Sequence, residues 1–278
     1  MADQAPQYPG ILDQELYDRY NAKWVEVINR RDPQELQDIF EENSLQLTGL
    51  GFSIEQIAKL VGTIGAVHIK ARFLVQPTKS ASGEETTQFS IALFATDSLN
   101  SRISSYYVPE KLYTDTASFQ APKRPGQLTV HKNQLHHVLA ERWRKNWTDL
   151  AALPPTDGEP ATPPADDLLH IKPEYFDTHY GPMRGYTYEI NEFVALFLLL
   201  ETLDDNWLKV YFVLHDYYQP DPLTSGDQLA QTFALALQVQ RSGSSTSAAF
   251  NTVDNPSSSF DDIDDPILDN GMPCPPTC

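Results

Sequence analysis

The chain has 278 residues, 41% of them hydrophobic and 21% charged, a globular composition that excludes wholesale disorder. Its 38 Asp and Glu outnumber 20 Lys and Arg, and the formal charge of −18 disfavours nucleic acid and anionic membrane as partners. Cys274 and Cys278 are the only cysteines, so the body is not a disulfide framework.

The opening MADQAPQYPG lacks the basic and apolar regions of a secretory signal. The longest apolar run, Phe193–Leu200, falls short of the roughly 20 residues a membrane span needs. A soluble cytoplasmic protein is expected.

Residues 11–42 read as two helices. Leu12, Leu16, Tyr20, Trp24, Val27 and Ile28 recur at helical steps, and Asp32-Pro33 restarts the pattern as N-cap and first helical residue. Gly49 and Gly51 break the chain. Ser53 and Gln56 then form a capping box for a short helix through Leu60. Ala66–Gln76 alternates Val67, Ile69, Ala71, Phe73 and Val75 against His68, Lys70 and Arg72, the pattern of a half-buried strand. A polar loop, Pro77–Thr86, leads to a second strand at Phe89–Thr96, and Ile103–Val108 suggests a third.

Tyr113–Gly126 looks irregular, and His131–Leu150 reads as a helix with Leu135, Leu139, Trp143 and Trp147 down one face. Pro154–Pro164 holds five prolines in eleven residues and forms a linker. Pro173–His179 suggests one or two helical turns. Tyr186–Leu203 begins with strand-like alternation and continues as a buried run of either kind. Trp207–Tyr218 is aromatic and β-branched, hence a strand. Gly226–Gln240 fits a helix better than a strand. Residues 243–278 are too polar and acidic to offset their ordering entropy and read as a disordered tail. His68–Lys70 and His170–Lys172 share the tripeptide HIK, and a Tyr-Tyr-x-Pro-acidic pattern recurs at 106–110 and 217–221, which hints at two related halves.

The fold class expected is α+β, with a helical N-terminal layer and a mainly antiparallel sheet. The organisation is a 1–152 domain, a 153–166 linker, a second α+β segment at 167–242 that could complete the same sheet, and the 243–278 tail.

Charge is unevenly spread. Residues 101–150 hold 8 Lys and Arg against 4 Asp and Glu, while the rest of the chain is neutral or acidic. Lys132, Arg142, Arg144 and Lys145, interleaved with Trp143 and Trp147, form a candidate anion-binding face. The more ordinary reading is the solvated side of an amphipathic helix. His215, at the end of the aromatic strand, is a candidate acid–base group with Glu189, Glu192 and Tyr217 near it. His137 and Glu141 share a helix face without a third ligand, so no metal site is expected. No nucleophile elbow, phosphate loop or dinucleotide fingerprint occurs, and no cofactor is expected. Cys274 and Cys278 frame a proline-stiffened CPPTC segment that could act as a signal.

Three functions follow from this reading. The first is a non-enzymatic interaction or structural component with a protein partner and the tail as tether. The second is an enzyme around His215, and the third is an anion or nucleic-acid binder through residues 123–145.

Overall fold

The structure is a computed structural model that describes residues 10–79, 83, 85–116, 134–135, 137–152, 171–178, 181–197, 206–220, 227–240, 267–268 and 272–273. The mixed α+β class holds, with antiparallel sheets throughout.

The first run of elements is β1 (Ile11–Leu12), α1 (Gln14–Arg30), α2 (Pro33–Ile39), the small hairpin β2 (Glu41–Glu42) and β3 (Leu45–Gln46), then β4 (Gly49–Ser53), α3 (Ile54–Val61), the long hairpin β5 (His68–Lys79) and β6 (Glu85–Thr96), and finally β7 (Tyr106–Tyr107) and β8 (Lys111–Tyr113). The second run repeats it. It has β9 (Gln134–Leu135), α4 (His137–Thr148), a 3₁₀ turn at Pro173–Phe176, the small hairpin β10 (Asp177–Thr178) and β11 (Gly181–Pro182), then β12 (Gly185–Glu189), α5 (Ile190–Phe197), the long hairpin β13 (Trp207–Pro220) and β14 (Asp227–Gln240), and β15 (Ile267–Leu268) and β16 (Met272–Pro273).

The two runs form two six-stranded sheets by exchange. The first sheet has the order β1-β7-β6-β5-β12-β16 and the second β9-β15-β14-β13-β4-β8. Each run thus builds four strands of its own sheet and lends two to the other: β4 and β8 cross one way, β12 and β16 the other. Helix α1 packs on β5 and α4 packs on β13.

Side chains repeat the correspondence. Trp24 donates its indole N–H to the Met183 carbonyl at 2.9 Å, and Trp147 donates to the Leu47 carbonyl at 2.8 Å. The N–H of Leu47 bonds the Phe40 carbonyl, and that of Met183 bonds the Phe176 carbonyl, both at 2.7 Å. At the strand-to-helix junctions the Ser53 N–H meets Gln56 Oε1 at 3.0 Å, and the Glu189 N–H meets Glu192 Oε2 at 3.1 Å.

The inner faces of both sheets close on one aromatic cluster. Phe40, Phe73, Phe89 and Trp24 answer Phe176, Phe212, Phe233 and Trp147, and all eight are fully buried. Phe73 meets Phe233 edge-on at 5.7 Å, and Phe89 meets Phe212 at 5.4 Å. Phe40 stacks on Phe89 at 4.4 Å, as Phe176 leans on Phe233 at 4.8 Å. Such pairs contribute about 0.5–1.5 kcal/mol each beyond their buried area. A smaller apolar cluster, with Leu74, Phe94 and Tyr106, lies on the outer face of the first sheet under Leu16, Tyr17 and Tyr20 of α1.

The expected caps are present: the Asp32 side chain accepts from Gln34 and Glu35, with Pro33 at the first helical position. Several other expectations need correction. Residues 227–240 form a strand, not a helix. They pair with β13 along their whole length, and alternate Phe233, Leu235 and Leu237 line the aromatic core while Ala234 and Ala236 lie on the opposite, equally buried face. The favourable helix propensity of this stretch is outweighed by fourteen residues of ladder and a buried face on each side.

Gly49 and Gly51 lie inside β4 instead of breaking the chain. The strand expected at 66–76 runs on through Pro77 to Lys79, and the one expected at 103–108 shrinks to Tyr106–Tyr107. Leu135 is in β9, outside α4. Within the tail read as disordered, Ile267–Leu268 pairs with β14 and β9, and Met272–Pro273 pairs with β12. The Tyr-Tyr-x-Pro matches fall on non-equivalent elements, Tyr106 in β7 and Tyr217 in β13, and His170 of the second HIK lies outside the described residues. The repeat is in the topology, not in those tripeptides. The 153–166 linker lies outside the described residues. No described helix is long and apolar enough to cross a membrane.

Candidate functional site

Helix α4 brings the basic residues and His215 into one neighbourhood, because it lies across β13. Trp147 is fully buried and Trp143 is nearly so, so neither ring is a surface platform. Arg144 is also buried: its Nε bonds Glu141 Oε2 and its Nη1 bonds the Thr116 carbonyl, both at 2.9 Å. Arg142 reaches from the surface to Asp216 Oδ2 at 2.9 Å. Lys145 is exposed, and Lys132 lies outside the described residues. Among the described residues of the candidate anion-binding face, only Arg142 and Lys145 face solvent. The reason is geometric: a helix crossing a sheet buries the stripe that carries both tryptophans, and Arg144 lies beside it.

His215 packs against the Trp143 ring with centroids 4.0 Å apart, and Tyr217 lies 6.5 Å away. Its neighbour Asp216 accepts from Asn146 Nδ2 at 2.9 Å and from Gln231 Nε2 at 3.0 Å. Glu189 ends β12 in the other sheet, opposite His68, and Glu192 is spent on the cap of α5. His215 and Tyr217 are therefore together, while the two glutamates are elsewhere.

Burial pushes the His215 pKa below its ordinary value, and the Asp216 charge opposes this in part. The unfolded chain thus binds the His215 proton more readily than the folded one. Its contribution to stability is present above the ordinary histidine pKa and is lost as pH falls through that value towards the lower folded one. An NMR titration of His215 is expected to give a midpoint below about 6.5. The His215→Asn variant should lose less stability than the parent between neutral and mildly acidic pH. A midpoint above the ordinary value would refute the burial argument.

Two features were not legible in the sequence. One is an exposed apolar group at the end of the β5–β6 hairpin, where the chain enters β5 and leaves β6. Ile64 is 96% exposed, Leu99 82%, Val67 39% and Ile103 37%. The Val67 N–H bonds the Thr96 carbonyl, the Ile103 N–H bonds the Ala95 carbonyl, and Leu99 sits in the turn between them.

The other is a cleft of about 270 Å³ on the outer face of the first sheet, lined by Tyr17, Asn21, Lys70, Arg72, Asn100 and Arg184, with Phe94 as its floor. Lys70 and Arg72 are 5% and 7% exposed. Alternation had placed them on a solvated face, but α1 lies over it. A larger cavity of about 620 Å³ runs between the β2–β3 hairpin and the β5–β6 tip, with Asp38, Glu41 and Glu42 facing Lys79. Among the described residues no group of three or more His, Cys, Asp or Glu is placed to hold a metal ion. Cys274 and Cys278 lie outside the described residues.

No known family model, characterised protein or solved structure matches the chain.

Proposed function

We propose that this chain is a non-enzymatic protein-interaction component that docks its partner on the apolar group formed by Ile64, Val67, Leu99 and Ile103. The observation that carries the reading is the nearly complete exposure of Ile64 and Leu99 beside two half-exposed aliphatic side chains. Scattered apolar residues on a surface are ordinary; several gathered at one end of a hairpin mark a surface that gains from being covered. The chain's charge of −18 favours a partner with basic residues around the contact, since complementary charge speeds encounter and suppresses acidic competitors.

The test is quantitative recovery of co-purifying protein by the parent chain and by an Ile64→Asp/Leu99→Asp double variant. Both sites are exposed, so stability should change by no more than about 0.5 kcal/mol per site. At least tenfold lower recovery of one defined partner is expected. Equal recovery would remove this patch from the reading.

The tail's role as tether is tested by Asp→Asn changes at 261, 262, 264, 265 and 269. Truncation after 242 is unsuitable, because it would also strip β15 and β16 from the two sheets.

A further inference from the structure

The cavity between the β2–β3 hairpin and the β5–β6 tip runs along a strand edge that the fold leaves open. On the side of β6 away from β5, β7 pairs only at Leu93, and no described strand adjoins residues 85–91. The other end of the strand shows which backbone groups point that way. The Ile103 N–H bonds the Ala95 carbonyl at 3.0 Å, and the Ala95 N–H bonds Ser104 Oγ at 2.8 Å. Odd-numbered residues of β6 therefore turn their N–H and carbonyl away from β5. The unbroken register with β5 carries this parity down to Thr87 and Glu85. Glu85, Thr86 and Thr87 are exposed, and among the described residues nothing bonds the outward backbone groups of Glu85 and Thr87.

The facing wall is acidic. Asn43 and Ser44, both at positive φ, make the tight turn of β2–β3 and set Glu41 and Glu42 along the cavity beside Asp38. Gln37 Nε2 donates to Glu41 Oε1 at 2.7 Å, and Gln34 Nε2 donates to Asp38 Oδ1 at 2.6 Å. Neutral amides orient these carboxylates without cancelling their charge. Among the described residues none of the three is in an ion pair. Lys79 is the one cation lining the cavity, and its cross-strand neighbour is Glu85.

Gln88 is an independent sign of a missing ligand. It is 3% exposed, lines the cavity, and makes no side-chain hydrogen bond to a described residue. At the equivalent place in β14, Thr232 Oγ1 donates to the Tyr175 carbonyl at 3.3 Å, which ties that strand to the 3₁₀ turn over it. A buried amide without a partner costs free energy that a bound hydrogen-bonding group would offset.

We propose that the cavity binds an extended, lysine-rich or arginine-rich segment of a partner protein. The segment adds a strand to the edge of β6 at Glu85–Gln88, and its cationic side chains meet Asp38, Glu41 and Glu42. Strand addition takes its affinity from main-chain bonds and its specificity from alternate side chains. The alternation is defined here. Thr87 lies on the same face of β6 as Phe89, on which Phe40 stacks just before β2, so that face carries the acidic wall. A residue directly opposite Thr87 points to the same face and exchanges both backbone bonds with it. Cationic residues at every second position therefore face the carboxylates and turn their own N–H groups towards β6. The cavity of about 620 Å³ is within the range of ligand sites.

The probe is the dye-labelled peptide KTKTKTK, titrated into the full-length protein and followed by fluorescence anisotropy. Saturable binding is expected, and the Thr87 amide should gain protection from hydrogen exchange when the peptide is bound. N-methylation at the lysine positions should weaken binding about tenfold or more, because those N–H groups bond β6. N-methylation at the threonine positions should leave it unchanged. The Glu41→Gln/Glu42→Gln double variant, which keeps hydrogen-bonding side chains, should bind about tenfold or more weakly. Thr87→Pro, which removes one edge N–H at an exposed position, should also weaken binding, while Thr87→Val should not. If Thr87→Pro lowers the melting temperature, the two methylated peptides decide on the parent protein.

Absence of saturable binding would overturn the proposal. So would equal affinity of the two methylated peptides, which would reduce the interaction to charge attraction, or an unprotected Thr87 amide in the complex. Undiminished binding to the Glu41→Gln/Glu42→Gln variant would remove the acidic wall from it. The cavity lies at the far end of the β5–β6 hairpin from Ile64 and Leu99. The Ile64→Asp/Leu99→Asp variant should therefore bind the peptide as the parent does, and failure of either reading leaves the other standing.

Discussion

Replacing Phe89 by alanine is expected to cost about 3–5 kcal/mol, the range for deleting a fully buried aromatic ring. The magnitude is at the upper end of single substitutions because the ring is central. It meets Trp24 at 5.4 Å, Phe40 at 4.4 Å, Phe73 at 5.2 Å, Phe212 at 5.4 Å and Phe233 at 5.9 Å. No neighbour can collapse into the space without leaving a ring of its own. Phe233→Ala, at the equivalent position of β14, should lose a similar amount.

The topology adds a second expectation. Each sheet contains strands of both runs, so neither run can unfold and leave a complete sheet behind. Guanidinium denaturation followed by tryptophan fluorescence and by far-ultraviolet circular dichroism should therefore give one coincident transition. Two separated transitions, or a Phe89→Ala loss below about 1 kcal/mol, would show that the aromatic cluster does not bind the runs together.

This arrangement explains what could be read in advance. Local rules sufficed where local physics decides. Asp32-Pro33 and the Ser53–Gln56 box start helices whatever surrounds them, and Phe73 and Val75 alternate because one side of β5 faces the core. They were insufficient where a distant segment decides. Ala234 and Ala236 favour a helix until β13 offers a ladder for all fourteen residues of β14. Lys70 and Arg72 read as solvated until α1 is laid over them, and Trp143 and Trp147 read as surface aromatics until α4 is laid over β13.

The duplication was hidden for a related reason. What the runs share is a pattern of strand lengths and a few anchor roles, such as Trp24 with Trp147 and Phe40 with Phe176. The tripeptide matches fall on none of those anchors, and so pointed to Tyr106 and Tyr217, which are unrelated in the fold. The candidate sites fared unevenly. His215 lies in β13 with Tyr217 beside it, but its expected glutamates come from β12 of the other sheet and from α5, which follows β12. The apolar group at Ile64 and Leu99 sits in connections that carry no periodicity to read.

The exchange of strands also has a backbone requirement, and testing it gives the second large effect. Gly185 is the residue at which β12 enters the first sheet, opposite Arg72 of β5. Its φ is +141°, and a Cβ there would lie 1.9 Å from the Ala71 carbonyl oxygen and 3.0 Å from both Ala71 C and Arg72 Cα. All three are backbone atoms of a central strand, so no side chain can swing aside. Gly185→Ala therefore combines a disfavoured φ with overpacking against a ladder that must shift as a unit. A loss of about 4 kcal/mol or more is expected, within the small class of exceptional substitutions.

Gly49, at the same place in β4, provides the internal control. A Cβ there would come within 2.5 Å of the Val210 carbonyl oxygen, but the residue has no positive φ, so Gly49→Ala should cost less, about 1–3 kcal/mol. Denaturant midpoints of the two variants give the order directly. Hydrogen exchange adds the location, with protection lost first along β12 and its partner β5 in Gly185→Ala. A Gly49→Ala variant less stable than Gly185→Ala would contradict the reading of strain at the entry of β12. If both variants matched the parent, the close approach of the exchanged strands would have to be looser than 1.9 Å and 2.5 Å imply.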